Sequence, residues 1–413
     1  MPVKELHIAG YRSVRDLRTR LKRVNVLVGP NGCGKSNLYR TLMLLAAAAK
    51  GTLAQELASE GGMASLLWAG ARSVKEKKRL LIEVTIKDLQ FSIECGRIPL
   101  RKQSEVEEDT ESMRPFANDP DIKLEEIKFI GGAKPVSILR RQNGSITARN
   151  MDGRRVQYPL SILGNESVLS GLRDPQKFPE LGRLRDEFLN WRFYHQFRTD
   201  IESPLRQPQV GVLTTAMSND GLDVAAALAS IVAIGDVDQL HAAVDEAFPG
   251  SSLVLDNDGG VFKIGLSRPG IFRALSALEL SDGTLQYLCL LAALLSPRPP
   301  ALLALNEPET SIHPDLYEPL AKLIVQASKR SQVWITTHSR DLGQYIAQNG
   351  GNEPIVLVKR GARTMIQDDS NLEEDEDDDD DVKELSDDDF DEPDEIASDD
   401  DNTEDDGDDY YDD

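Results

Sequence analysis

Cysteine is scarce in this chain, three residues in 413, and Cys33, Cys95 and Cys289 stand far apart. An odd, scattered set without metal-ligand spacing argues against a disulfide framework or a zinc site and suits a reducing compartment. Long apolar runs are lacking too. The longest, residues 42–49 and 285–295, fall short of the roughly 20 residues that span a bilayer. The opening MPVKELHIAGYRS has no apolar signal core, so the expected location is cytoplasmic, with no membrane partner. No heptad pattern is sustained, which excludes a long coiled coil. Internal repeats and nuclease or protease motifs are absent as well.

What is present is an uneven charge. The net −23 divides into −28 on residues 368–413, which hold 29 acidic residues and the single cation Lys383, and +5 on the rest. The acidic segment cannot bury enough apolar surface to fold alone, so a disordered tail is expected there. The chain as a whole is long enough for two or three domains. The basic clusters outside the tail are Lys75, Lys77, Lys78 and Arg79, then Arg140-Arg141 and Arg154-Arg155.

Alternation of Leu6 and Ile8 with polar residues predicts an opening strand, and 24–28 reads as a buried one. Residues 36–49 predict a helix, rich in Leu and Ala and free of Pro. The alternation over 81–95 predicts two antiparallel strands turning at Lys87-Asp88. A polar loop is expected over 103–121, a hairpin around Asn143-Gly144, and helices at 222–234 and 237–248. Short apolar runs at 301–305, 333–337 and 355–358 read as parallel strands of an α/β core.

Between the 24–28 strand and the following helix stands Gly29-Pro30-Asn31-Gly32-Cys33-Gly34-Lys35-Ser36-Asn37. The spacing Gly29-x-x-x-x-Gly34-Lys35-Ser36 is a P-loop. Glycines let backbone N–H groups converge on phosphate, and the helix N-terminus adds partial positive charge. Lys35 would reach the β- and γ-phosphates and the Ser36 hydroxyl would ligate magnesium, so ATP and Mg2+ are the expected cofactors.

Four later segments narrow the class. Leu280-Ser281-Asp282-Gly283-Thr284 precedes an apolar helix; 301–305 leads into Asn306-Glu307-Pro308-Glu309; Thr310-Ser311-Ile312-His313-Pro314 follows; and 333–337 ends at His338-Ser339. In that order they resemble the signature, Walker B strand with catalytic glutamate, D-loop and switch histidine of ABC-type ATPases of the RecF, SMC and OLD group. Tyr11-Arg12-Ser13 is similar to the aromatic-Arg-Ser opening of such proteins, which lies near the nucleotide. Trp191-Arg192-Phe193-Tyr194, Asn219-Asp220-Gly221 and residues 278–314 resemble most closely the bacterial RecF-like AAA family ATPases.

The resemblance implies an α/β fold: a P-loop NTPase with an ABC-type ATPase head, a mixed sheet flanked by helices. Residues 1–95 and 271–367 would be its two parts, 96–270 an inserted α+β or helical region, and 368–413 the acidic tail. It implies ATP hydrolysis with Glu307 and His338 catalytic, residues 29–37 and Arg12 on the nucleotide, and Ser36 with Asn306 (through water) on magnesium. Ser281, Asp282 and Gly283 would face the nucleotide of a second copy in an ATP-dependent homodimer. This chain departs from the family pattern at Asp282, Thr284 and Asn306, and no Q-loop glutamine stands out between Glu60 and Gln90. The implied target is DNA, in repair, recombination or genome defence. Two alternatives stand beside it: an ATPase acting on a protein partner without DNA contact, and a weakly hydrolysing scaffold suggested by the uncharged Asn306. The acidic tail is expected either to solubilise the chain or to cover its own basic face or a basic partner.

Overall fold

Val24–Val28 is buried along its whole length and lies inside a six-stranded sheet. Gln332–Thr337 flanks it on one side and Ile355–Arg360 on the other, both parallel to it. Leu302–Asn306 and then Arg192–Tyr194 continue the sheet outward, also parallel, while Arg363–Ile366 closes the far edge antiparallel. The structure, a computed structural model, describes residues 2–72, 76–98, 116, 118–142, 144–149, 153–158 and 162–367. The disordered tail expected at 368–413, Lys75, Asn143 and most of the 103–121 loop lie outside the described residues.

Apolar runs form these parallel strands because both faces of the sheet are covered. Alternate residues enter opposite cores. Leu302, Ala304 and Trp334 join a core with the helix Lys35–Lys50, whereas Leu303, Leu305, Val333 and Ile335 join one with the helices Val224–Ile234, Asp282–Leu294 and Tyr317–Ala327. The polar Asn25 is tolerated because its amide bonds the Lys22 carbonyl and N–H and the Val333 carbonyl.

The first core is closed by an antiparallel sheet of eight strands. It runs from Val14–Arg20 through Val3–Tyr11, Leu80–Ile86, Leu89–Arg97, Pro120–Phe129, Val136–Gln142 and Ser145–Arg149 to Arg155–Tyr158. The predicted turn at Lys87-Asp88 is there, with Lys87 at φ 59°. A third, smaller sheet holds Gln209–Val210, Ser252–Asp258, Val261–Ser267 and Leu275–Ser276. Residues 96–270 contribute strands to all three sheets.

One basic cluster divides between surface and core. Arg141 is not a surface cation: it is 1% exposed, pairs with Glu125 at 3.2 Å and donates to the Leu163 carbonyl at 2.7 Å. Its alternation with exposed Arg140 points it into the core, where Glu125 also accepts from Ser167 and the Val168 N–H. Among the described residues no helix is long and apolar enough to cross a membrane.

Candidate nucleotide-binding site

The carboxyl ends of three adjacent parallel strands carry the motif residues to one edge of the central sheet. Val28 leads into the Gly29–Gly34 loop and the Lys35–Lys50 helix, Asn306 into Glu307, and Thr337 into His338. Crevices outside the carboxyl ends of such strands are where α/β sheets bind ligands. Here a pocket of about 260 Å³ is lined by Asn31, Gly32, Gly34, Lys35, Ser36, Asn37, Glu307 and His338.

Two glycines of the loop are required by geometry. A Cβ on Gly29 would stand 2.5 Å from the Leu357 carbonyl oxygen and 2.7 Å from Cys33 Sγ. Gly34 has φ 106°, and its Cβ would collide with Thr364 Oγ1 at 2.2 Å. That close approach is used: Thr364 Oγ1 donates to the Cys33 carbonyl at 2.8 Å and lies 2.8 Å from Ser13 Oγ, which accepts from Asn37 Nδ2. Gly34 is the N-cap of the Lys35–Lys50 helix and leaves its first turn without a side-chain cap. Free N–H groups at such an end suit an anion.

Lys35 is only 4% exposed. Its ammonium donates to the Gly29 carbonyl at 2.6 Å, the Pro30 carbonyl at 3.1 Å and His338 Nδ1 at 3.1 Å. A lysine ammonium has no lone pair, so Nδ1 is the acceptor and the ring proton sits on Nε2. Nε2 then donates to Glu307 Oε1 at 2.5 Å. The residues form one chain: ammonium, imidazole, carboxylate. Glu307 is held by its backbone, with φ 50° and its N–H bonded to the Thr336 carbonyl at 2.7 Å.

Asn306, at 7% exposure, has its amide oxygen engaged by Thr336 Oγ1 at 2.6 Å. The donor set fits a nucleotide's phosphates well and a divalent cation less fully. Ser36 offers an exposed hydroxyl, but Asn306 offers no charge and an oxygen already in use.

Other expected residues lie elsewhere. Arg12 does not line this pocket: its guanidinium pairs with Glu60 at 2.8 Å, and Glu60 also binds Arg40 at 2.7 Å and the Tyr11 hydroxyl at 2.9 Å. Ser281 caps the Asp282–Leu294 helix, accepting from the Thr284 N–H. Gly283 abuts the D-loop segment so closely that a Cβ would stand 2.4 Å from the Ser311 carbonyl oxygen. Asp282 accepts from Arg206 Nη2 at 2.6 Å. None of the three signature residues lines the P-loop pocket. The segments Trp191–Tyr194 and Asn219–Gly221 meet, the Phe193 N–H donating to Asn219 Oδ1 at 3.1 Å.

Three contributors were not singled out by sequence reasoning. Arg206 donates to the carbonyls of Thr199, Ala277 and Leu280 as well as to Asp282, and so shapes the signature segment. Thr364 clamps the P-loop, and Glu309 bonds the His338 segment. Only Glu309 carries a signal in the sequence, a second carboxylate two positions after Glu307.

No curated protein matches the chain by sequence. Among solved structures it is similar to an SMC head bound to the C-winged helix domain of ScpA, at 14% identity, covering 89% of this chain and 97% of that one with a TM-score of 0.50. An SMC head domain from Thermotoga maritima matches at 15% identity over 89% and 98% of the two chains, TM-score 0.44. The fold is that of an SMC head-like, ABC-type P-loop ATPase. Residues 24–342 match the family described as "AAA domain, putative AbiEii toxin, Type IV TA system", and the chain belongs to that family.

Proposed function

We propose that the chain binds and hydrolyses ATP with Mg2+ and works as an ATP-dependent dimeric clamp. The observation that carries this reading is the Lys35–His338–Glu307 chain across the mouth of the P-loop. On binding, phosphate oxygens would replace the Gly29 and Pro30 carbonyls and His338 as partners of Lys35. Glu307, released from sharing His338 with that ammonium, orients or deprotonates the attacking water. Ser36 would hold the cation, which supplies charge neutralisation on the phosphates. Ser281 and Gly283, outside the pocket of their own chain, would meet the γ-phosphate held by Lys35 of a second copy. Hydrolysis removes that phosphate and loosens the pair.

The test is solution mass with and without ATP, together with phosphate release, for wild type, Lys35→Ala and Glu307→Gln. A monomer that pairs only with ATP supports the clamp. Unchanged mass with bound ATP refutes the signature assignment and leaves a P-loop ATPase working through another contact.

For the target we favour DNA. Arg140, Arg149 and Arg155 line a polar pocket of about 140 Å³ on the eight-stranded sheet, with Glu126 as its carboxylate. Duplex binding measured with and without ATP separates this from action on a protein partner. A specific observation also favours slow turnover: Asn306 brings no charge and its oxygen is bonded to Thr336.

A further inference from the structure

We infer that Glu309 is the positioning residue of this site, a strut that sets where His338 stands between Lys35 and Glu307. It belongs to the loop that carries Glu307, yet its bonds go to the next strand. Glu309 Oε1 accepts from the Thr337 hydroxyl at 2.5 Å, the His338 N–H at 2.9 Å and the Ser339 N–H at 3.3 Å. Those three residues carry the chain from the Gln332–Thr337 strand into the Arg340–Gln348 helix, of which Ser339 is the N-cap.

The loop side is fixed independently. The Thr310 N–H bonds the Glu307 carbonyl at 3.0 Å, the Ile312 N–H bonds the Glu309 carbonyl at 3.0 Å, and the Glu307 N–H bonds the Thr336 carbonyl at 2.7 Å. Pro308 lies inside this turn and restricts it further. The carboxylate thus ties a rigid turn bearing Glu307 to the backbone atom that bears His338. With both ends held, the 2.5 Å contact between Glu307 and His338 follows.

A neutral acceptor would not serve as well. Three donors converge on one oxygen at a helix N-terminus, where negative charge is favoured. The other oxygen, Oε2, is buried and has no hydrogen-bond partner among the described residues. An amide in its place would bury an unsatisfied N–H₂ group there. Glu309 spends Oε1 on Thr337, His338 and Ser339, so the role assigned to it runs through His338.

The kinetic arm of the test rests on the ATPase reading; the spectroscopic arm does not. The full chain is labelled with 15N-histidine, and a His338→Asn variant identifies the His338 ring signals. Wild type should show the Nε2-protonated tautomer. Glu309→Ala should collapse that signature toward an average of both tautomers and lower kcat by about 100-fold, with KM and nucleotide affinity little changed. Glu309→Gln, which keeps the acceptor on the Oε1 side, should retain the tautomer and hold kcat within about 10-fold of wild type. If Glu309→Ala keeps the wild-type His338 signals, the strut is refuted, whatever happens to the melting temperature. An equal loss of the tautomer in Glu309→Ala and Glu309→Gln also overturns it, because the acceptor then is not what matters. If wild type releases no phosphate, the proposed activity fails while the ring signals still decide the role of Glu309.

Discussion

His338 Nε2 lies 2.5 Å from Glu307 Oε1 while its Nδ1 accepts from Lys35 at 3.1 Å. A single imidazole therefore joins the group that would hold phosphate to the group that would act on water. Glu307→Gln keeps an oxygen able to accept from Nε2 but removes the base. Phosphate release is expected to fall by about 10²- to 10⁴-fold, the usual worth of a positioned general base. Nucleotide binding and the ATP-dependent increase in mass should persist. Release rates within twofold of wild type would remove Glu307 from the chemistry.

The Walker B position makes a second expectation. Asn306 is buried and bonded to Thr336 Oγ1 at 2.6 Å. Asn306→Asp keeps the volume and lets the threonine hydroxyl go on donating, now to a carboxylate. The added charge should lower the Mg2+ concentration needed for half-maximal activity by about 10-fold, the scale on which groups behind a metal's ligands act. A titration of Mg2+ against phosphate release checks this. An unchanged midpoint means the residue stands too far from the cation to matter.

Much of the central sheet was legible because its strands are short, mostly apolar runs that lead into motif residues. Val24–Val28, Leu302–Asn306 and Gln332–Thr337 are such runs, and the pocket follows from the register that aligns their ends. In the far half of the eight-stranded sheet the expected hairpin is present, Val136–Gln142 paired with Ser145–Arg149, but which face each strand buries was harder to read. In Pro120–Phe129 and Val136–Gln142 the buried positions include Glu125, Glu126 and Arg141, so polarity no longer reports the face. Arg206 was illegible for another reason: apart from Asp282 its partners are backbone carbonyls, those of Ala277 and Leu280 more than 70 residues away, and carbonyls leave no trace in side-chain chemistry.

Charge asymmetry supplies a third prediction. Removing residues 368–413 takes the chain from −23 to +5. Exposed Arg140 and Arg155, which line one pocket with Arg149, would then meet DNA without a competing polyanion. Duplex affinity at low salt should rise by about 10-fold and the difference should vanish at high salt, as expected for contacts that release counterions. Filter binding across a salt series gives the answer, and equal affinity for the full and shortened chains would sink a covering role for the acidic segment.

Asp282 stands where the resembled signature has glycine, and its partner explains how a carboxylate is accommodated there. The Arg206 side chain is 5% exposed and that of Asp282 57%. A bare carboxylate at this helix end would repel a partner copy's γ-phosphate, and the guanidinium 2.6 Å away offsets that charge. Arg206→Met leaves the carbonyls of Thr199, Ala277 and Leu280 without their donor, and a loss of about 3 kcal/mol in stability is expected. Stability alone does not define the role, so the variant is paired with Asp282→Gly. If Arg206 serves chiefly to neutralise Asp282, the double variant should regain ATP-driven pairing without regaining its melting temperature. If it serves chiefly to hold the carbonyls, pairing and melting temperature should stay low together. A double-mutant cycle read by solution mass and by thermal unfolding separates the two, since neighbours that share a partner do not add. The half-exposed carboxylate and the buried guanidinium favour the first outcome: Asp282 faces outward, where a second copy would stand.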